Sequence, residues 1–337
     1  MTAQSSSFPL NQQLRRGAAV RRPQEITCFS YDDQHQYQSD ASGLRYYYNP
    51  QLDTDLSQGF EEFDQHDDSV DEHLDSLLRA IMEHEKATGK KCATDIMTWR
   101  GLITKASAIT SFLEENHSYK MANRWKPDRR GAQMSFWGYK FESLATLPKT
   151  WHECTREEVD NRPNERVSNK AQFCSIVKTG LGDTKLILGG EVDAVWDVRP
   201  SYVELKTSKL PVNERDEVTF ERKLQKFWAQ SFLLGVGKIV VGFRDDHGTL
   251  LSTRDFETQA IPAIAKRSQR RLWDGNQSID FTAEALRWIK EQIHEGGVWR
   301  IKYDPKGNRE ITITKVEGEK TFLTQEFLEW RETATLQ

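Results

Sequence analysis

The sequence predicts an α+β fold: a mixed β-sheet core flanked by helices. Three observations carry that prediction. Between residues 134 and 243 the runs read helix, three strands, helix, strand, which is neither a strand–helix alternation nor an all-β pattern. Apolar residues recur at helical spacing in some segments and alternate in others. No linker interrupts the chain, so residues 23–337 read as a single domain behind a flexible Ser-, Gln- and Arg-rich N-terminus, residues 1–22.

Taken in order, the first clear element is a helix carrying Leu74, Leu77, Leu78, Ile81 and Met82 on one face. Ser69 with Glu72 forms a capping-box pattern before it, and Gly89 ends it. Residues 95–100 read as a short extended segment. A helix over residues 134–146 places Trp137, Phe141 and Leu144 on one side. Two β-rich runs follow, 173–178 and 185–197, separated by the turn Gly180-Leu181-Gly182-Asp183, and then a third at 202–207. A helix over 217–234 stops at Gly235, and an apolar strand occupies 239–243. The C-terminal part adds an amphipathic helix near 283–295, a hairpin of 299–304 with 311–316, and a short last helix.

Composition narrows the function classes. With 337 residues the chain is long enough for a sizeable core, and 10 Trp, 16 Phe and 9 Tyr supply large side chains for packing or stacking. The formal charge of −4 suits an enzyme with an acidic centre and local basic groups better than a uniformly basic binder. The 4 Cys are too widely spaced for a zinc knuckle or a disulfide framework and read as reduced thiols of an intracellular protein. No secretory h-region and no membrane-length apolar run is seen.

The chemistry concentrates in the central strands. Residues two apart on a strand share a face, so Glu191 pairs with Asp193, and Glu204 with Lys206 on the next strand. Val192, Val203 and Leu205 suit the opposite, buried face. Three carboxylates crowded on one side repel each other unless a cation neutralises them, and hard oxygen ligands suit Mg²⁺ or Mn²⁺. Such an ion polarises a phosphoryl oxygen and acidifies a bound water. Lys206 is placed to orient that water or to offset charge in the transition state. The bland alternative is a set of surface salt bridges on an exposed sheet. An acid followed about ten positions later by Glu-x-Lys resembles the PD-(D/E)xK nucleases, as does the element order. In that group the leading helix often adds a ligand, and Glu142 is in place for it.

More of the chain then falls into a pattern. Gly138-Tyr139-Lys140-Phe141-Glu142, Gly190-Glu191-Val192-Asp193, Glu204-Leu205-Lys206-Thr207-Ser208-Lys209 and Lys226-Phe227-Trp228-Ala229-Gln230-Ser231 follow an upstream Thr98-Trp99-Arg100-Gly101. In this order they resemble the DXO family of decapping and exoribonuclease enzymes, most of all its fungal nuclear branch, from about Arg22 to the C-terminus. The resemblance implies a metal-dependent decapping nuclease or pyrophosphohydrolase. Its substrates would be RNA 5′ ends: unmethylated caps, NAD caps or 5′-triphosphates. It implies two divalent ions held by Glu142, Glu191, Asp193, Glu204 and the carbonyl of Leu205. Lys206 and Gln230 match positions at the nucleophilic water or scissile phosphate. Trp99, Arg100 and Gly101 match a substrate-contacting segment, with Arg100 suited to phosphate by its planar fork.

Weaker matches are Cys174 (otherwise a packing thiol), Glu72 (otherwise the capping residue) and His35 (otherwise a solvated His). The basic cluster Lys266, Arg267, Arg270 and Arg271 reads as an RNA-phosphate track, a nuclear address or a solvated helix face. The chain departs from the family by a shortened segment after Lys105, which bears on substrate preference. The resemblance further implies a nuclear location and a nuclear 5′→3′ exoribonuclease as partner, and the lack of a membrane-length apolar run predicts no membrane association. Mainly stabilising that partner, without catalysis, is the alternative function. An enzyme cutting DNA is a third reading, disfavoured by the Trp-Arg-Gly and Trp-Ala-Gln-Ser motifs.

Overall fold

The structure is a computed structural model, and it describes residues 5–11, 13–105, 111–124, 126–268, 270–293, 295–318 and 321–333. Two six-stranded sheets carry the core. The first runs, edge to edge, Tyr37–Gln38, Val20–Tyr31, Gln172–Leu181, Thr184–Glu191, Ile96–Trp99 and Ser111–Leu113. The second runs Leu250–Glu257, Lys238–Arg244, Tyr202–Lys209, Ala194–Val195, Tyr46–Tyr47 and Thr146–Leu147. Both sheets are mixed: Tyr202–Lys209 pairs parallel with Lys238–Arg244 but antiparallel with Ala194–Val195. The α+β reading is therefore correct.

The expected continuous strand over 185–197 is divided. It ends at Glu191 in the first sheet and resumes at Ala194 in the second. Val192, buried, still donates its N–H to Phe173 O at 2.9 Å, and Val195 N–H then turns to Arg45 O at 2.9 Å. The crossing point is thus Val192–Asp193. Just before it, Gly189 and Gly190 leave room for close neighbours. A Cβ on Gly189 would stand 2.9 Å from Leu77 and from Trp99, and one on Gly190 2.8 Å from Arg100 and 3.0 Å from Leu234.

The helix Arg129–Leu144 packs on the second sheet. Asp128 caps it, accepting from Gly131 N–H. Its Phe136, Trp137, Phe141 and Leu144 are buried with Val203, Leu205 and Val240. Phe141 lies so close to Gly242 that a Cβ there would be 2.5 Å from the ring. That contact seats the helix and sets the height of the next residue, Glu142. The long helix Glu214–Leu234, capped by Asn213 and ended by Gly235 in the left-handed region (φ 80°), covers the other side.

Other expectations need correction. The N-terminus is not loose throughout: Ser5–Pro9 forms a strand on Glu310–Val316, the inner strand of a three-stranded sheet with Val298–Asp304. Its single large apolar side chain, Phe8, is buried against Phe281 and Trp288. The strand Val20–Tyr31 likewise begins before residue 23. The first helix, Asp75–Thr88, ends at Gly89 (φ 66°) as expected, but Leu74 is its N-cap and no side chain caps it. Ser69 and Glu72 lie outside it. The C-terminal helix starts at Gly275, not near 283, because Asp274 accepts from Asn276 and Gln277 N–H. The strand Leu250–Glu257 was not foreseen. Among the described residues no helix is long and apolar enough to cross a membrane, and all four cysteines are free.

Candidate active site

The division of the strand at Val192 brings the two sheets to one point. Glu191 arrives from the first sheet and Asp193 from the crossing. Glu204 and Lys206 come from the second sheet, and Glu142 from the helix above it. The expected cluster therefore forms, but at a junction of sheets and not on the face of one.

Glu204 is the best-held member. Its side chain is 1% exposed. Arg100 donates to both of its oxygens, Nη1 to Oε2 at 2.8 Å and Nη2 to Oε1 at 3.1 Å. Lys206 Nζ stands 2.7 Å from Oε1. Burial alone raises this carboxyl's pKa, but Arg100 and Lys206 outweigh it and hold it at about 2. Asp193 Oδ2 accepts from Leu205 N–H at 2.6 Å and lies 3.5 Å from Lys206 Nζ. Lys206 also donates to Leu205 O at 3.0 Å. Burial works against the Lys206 charge, but Asp193, Glu204 and Glu142 raise its pKa and keep it an ammonium.

Glu142 and Glu191 differ. Neither carboxylate accepts a hydrogen bond among the described residues. Burial lifts Glu142 well above the usual carboxylate range, and the charge of Asp193 lifts it further against the pull of Lys206. Desolvation in the cleft and the charge of Asp193 push Glu191 up to about 7, although the residue is exposed at the cavity side. Asp193 is raised too, by burial first. Four carboxylates face two resident cations, Arg100 and Lys206, leaving two negative charges when all are ionised. One dication neutralises that excess, and a second becomes tolerable once substrate phosphates add negative charge. The donors are oxygens, so the residues fit a hard divalent cation.

Beside the cluster is a cavity of about 380 Å³ whose wall includes Trp99, Cys174, Glu191, Glu72 and His35. These five matched positions thus converge on one place. Cys174 is both buried and part of that wall; burial, then Glu191, pushes its thiol well up, so it packs there as a neutral group. Glu72 faces His35 and His66 in place of a helix cap. Gly101 sits in the first turn of the helix Arg100–Lys105.

Two of the matched residues are placed differently from the rest. Arg100 is not an unpaired fork, since its Nη1 and Nη2 both donate to Glu204. Gln230 has no hydrogen bond to the carboxylates among the described residues. It lines a separate cavity of about 830 Å³ beneath the C-terminal helix, with Lys226 and Ser278. In the basic cluster one member is engaged by acids. Arg270 pairs with Glu217 at 2.6 Å, Glu214 at 3.6 Å and Glu221 at 3.8 Å. The shortened segment after Lys105 falls largely on residues 106–110, outside the described residues. Sequence reasoning overlooked His66; its signal was the His- and Asp-rich run Asp64-Gln65-His66-Asp67-Asp68.

A family model described as RAI1-like PD-(D/E)XK nuclease matches residues 21–328. The chain belongs to that nuclease family. The decapping nuclease RAI1 of Neurospora crassa is 45% identical over 361 aligned residues, covering 97% of this chain and 87% of the relative. Among solved structures, Candida albicans Rai1 in complex with pU5 and Mn²⁺ is similar at 29% identity with a TM-score of 0.89, covering 98% of this chain and all of that one. Scheffersomyces stipitis Rai1, in complex with (3′-NADP)⁺ and calcium, is similar at 30% identity and a TM-score of 0.89, covering 97% of this chain and 99% of that one. Family membership makes the chain a hydrolase of the decapping, 5′-end-processing class and favours RNA over the DNA reading.

Proposed function

We propose that this chain hydrolyses defective RNA 5′ ends with divalent metal, removing incomplete caps, NAD caps or pyrophosphate from 5′-triphosphates. The observation that carries the reading is the meeting of four carboxylates with Lys206 and Arg100 at the sheet junction. Glu142, Glu191, Asp193, Glu204 and the Leu205 carbonyl would hold Mg²⁺ or Mn²⁺. When bound, such an ion supplies Lewis acidity and a more acidic water. Lys206, kept charged and fixed by three partners, meets negative charge that develops on the phosphoryl group. Arg100 holds Glu204 in one rotamer and so positions a ligand. Trp99 and the cavity wall receive the 5′-terminal nucleotide.

The relatives' complexes with pU5 and with (3′-NADP)⁺ support both a 5′-phosphate and a dinucleotide substrate class. An Mn²⁺ assay on 5′-triphosphate, unmethylated-cap and NAD-capped RNAs tests the reading. Asp193→Asn with Glu204→Gln lowers each active rate by more than about 10³-fold while circular dichroism stays unchanged. An undiminished rate in the folded double variant defeats it. Resemblance to the fungal nuclear branch supports a nuclear location and a 5′→3′ exoribonuclease partner. Co-purification of that enzyme with the tagged chain tests the partner.

A further inference from the structure

The helix Arg129–Leu144 brings Glu142 to the carboxylate cluster in its last turn. That end is unfavourable for an acid, because the helix dipole is negative there. The last turn contains no basic residue of its own. Among the described residues the Glu142 carboxylate accepts no hydrogen bond, so nothing at its tip fixes it. Its place depends on how the end of the helix is held.

Groups from outside the helix hold that end. A helix leaves its last carbonyls without partners of its own. Here Glu142 O accepts from Thr146 Oγ1 at 2.8 Å, and Arg45 Nε donates to the same hydroxyl at 3.2 Å. Ala145 O accepts from Tyr48 N–H at 2.9 Å. Leu144 O accepts from Arg162 Nη1. Arg162, 6% exposed, opens the 3₁₀ turn Arg162–Asn164, and its Nε donates to Val159 O at 3.0 Å. Its guanidinium lies over the Tyr48 ring, 4.5 Å from the centroid. The hold is returned from the helix side: Lys140, 1% exposed, donates from Nζ to Pro163 O at 2.6 Å.

Arg162 and Lys140 thus form a reciprocal clasp, in which each segment donates a cation to a carbonyl of the other. Among the described residues neither has an ion pair, and burial lowers the pKa of both. Two buried cations without a carboxylate are costly, and well-packed apolar side chains often replace buried charges without loss. Apolar side chains could not cap these carbonyls or offset the negative helix end beside four carboxylates.

We propose, given the proposed role of Glu142 as a metal ligand, that Lys140 and Arg162 are positioning residues whose clasp fixes the last turn of the helix and so sets the Glu142 carboxylate for the ion. They act through the backbone that carries Glu142. Lys140, within the run Gly138-Tyr139-Lys140-Phe141-Glu142, thereby gains a role that the reaction itself does not assign.

Mn²⁺ binding to the full chain, followed by the paramagnetic resonance signal of the free ion, tests this without turnover. Arg162→Met and Lys140→Met each weaken Mn²⁺ binding by at least about 10-fold, as loss of an outer partner does at metal sites. A residue that only supported the fold would give the same fractional loss with or without Glu142. The clasp predicts a different outcome. In a Glu142→Gln background, adding Arg162→Met weakens binding by less than about 2-fold more, since the group it positions is already gone. Circular dichroism and the metal-free thermal midpoint show which variants are folded, and Lys140→Met carries the same cycle where Arg162→Met does not fold. Losses that multiply in the double variant, or parent-like binding by a folded clasp variant, overturn the proposal. Parent-like binding by Glu142→Gln instead overturns Glu142 as a ligand, and the role of the clasp with it.

Discussion

On the Glu204 side of the acidic cluster, Arg100 and Lys206 reach one carboxylate at 2.8 and 2.7 Å. On the Glu142–Glu191 side, no hydrogen bond reaches either carboxylate among the described residues, and the pKa of each is raised. One half is neutralised by the chain's own cations. The other half carries the negative charge left over. The same residue type therefore does two jobs: Glu204 contributes to holding the sheets and Arg100 together, whereas Glu142 and Glu191 are the part that, on the proposed function, a metal ion would neutralise.

The largest effect that would break this contrast lies on the neutralised side. Arg100→Met leaves the buried Glu204 with Lys206 alone, and should cost about 3–5 kcal/mol in denaturant unfolding of the metal-free chain. A loss below about 1 kcal/mol would mean the Arg100 pair is dispensable to the fold. On the other side, Glu142→Gln should reduce Mn²⁺ affinity by at least about 10-fold, yet leave metal-free stability level or slightly higher, because a repulsion is removed. Calorimetry with and without Mn²⁺ separates the two effects. A stability loss matching that of Arg100→Met would erase the difference between the halves.

The smallest effect is in the pH profile. A carboxyl held near 7 in the fold and near 4.5 when unfolded penalises the ionised fold. Glu191 therefore lowers metal-free stability progressively as pH rises from about 4.5 to about 7. Glu204, held at about 2, has the opposite sign: its contribution is present above 4.5 and is lost as pH falls toward 2. Saturating Mn²⁺ should flatten the first trend and leave the most acidic limb in place. Thermal midpoints from about pH 2.5 to 8, with and without the ion, measure both limbs.

The carboxylates that meet at the junction were legible because acids at two-residue spacing, with Val192, Val203 and Leu205 between them, are a local pattern. So were the helix ends at Gly89 and Gly235, where a left-handed residue stops the helix. What the pattern could not show was long-range. Nothing in residues 185–197 says that the strand changes sheets at Val192, because alternation looks the same whichever strand lies alongside. Arg100 read as a free phosphate fork since its partner is 104 positions away. Ser69 and Glu72 satisfied a capping pattern, yet tertiary contact drew Glu72 to His35 and His66. A polar N-terminus hid a strand because one buried Phe8 and backbone bonds to Glu310–Val316 suffice to anchor it.

The central claim is that the cluster's unpaired half carries protons that a metal ion replaces. Titrating Mn²⁺ at pH 6.5 in buffers of different ionisation enthalpy counts the protons released on binding. Net release that diminishes above pH 8, and diminishes likewise in Glu142→Gln with Glu191→Gln, is the expected result. Binding of equal strength with no proton release at pH 6.5, unchanged in the double variant, would contradict it.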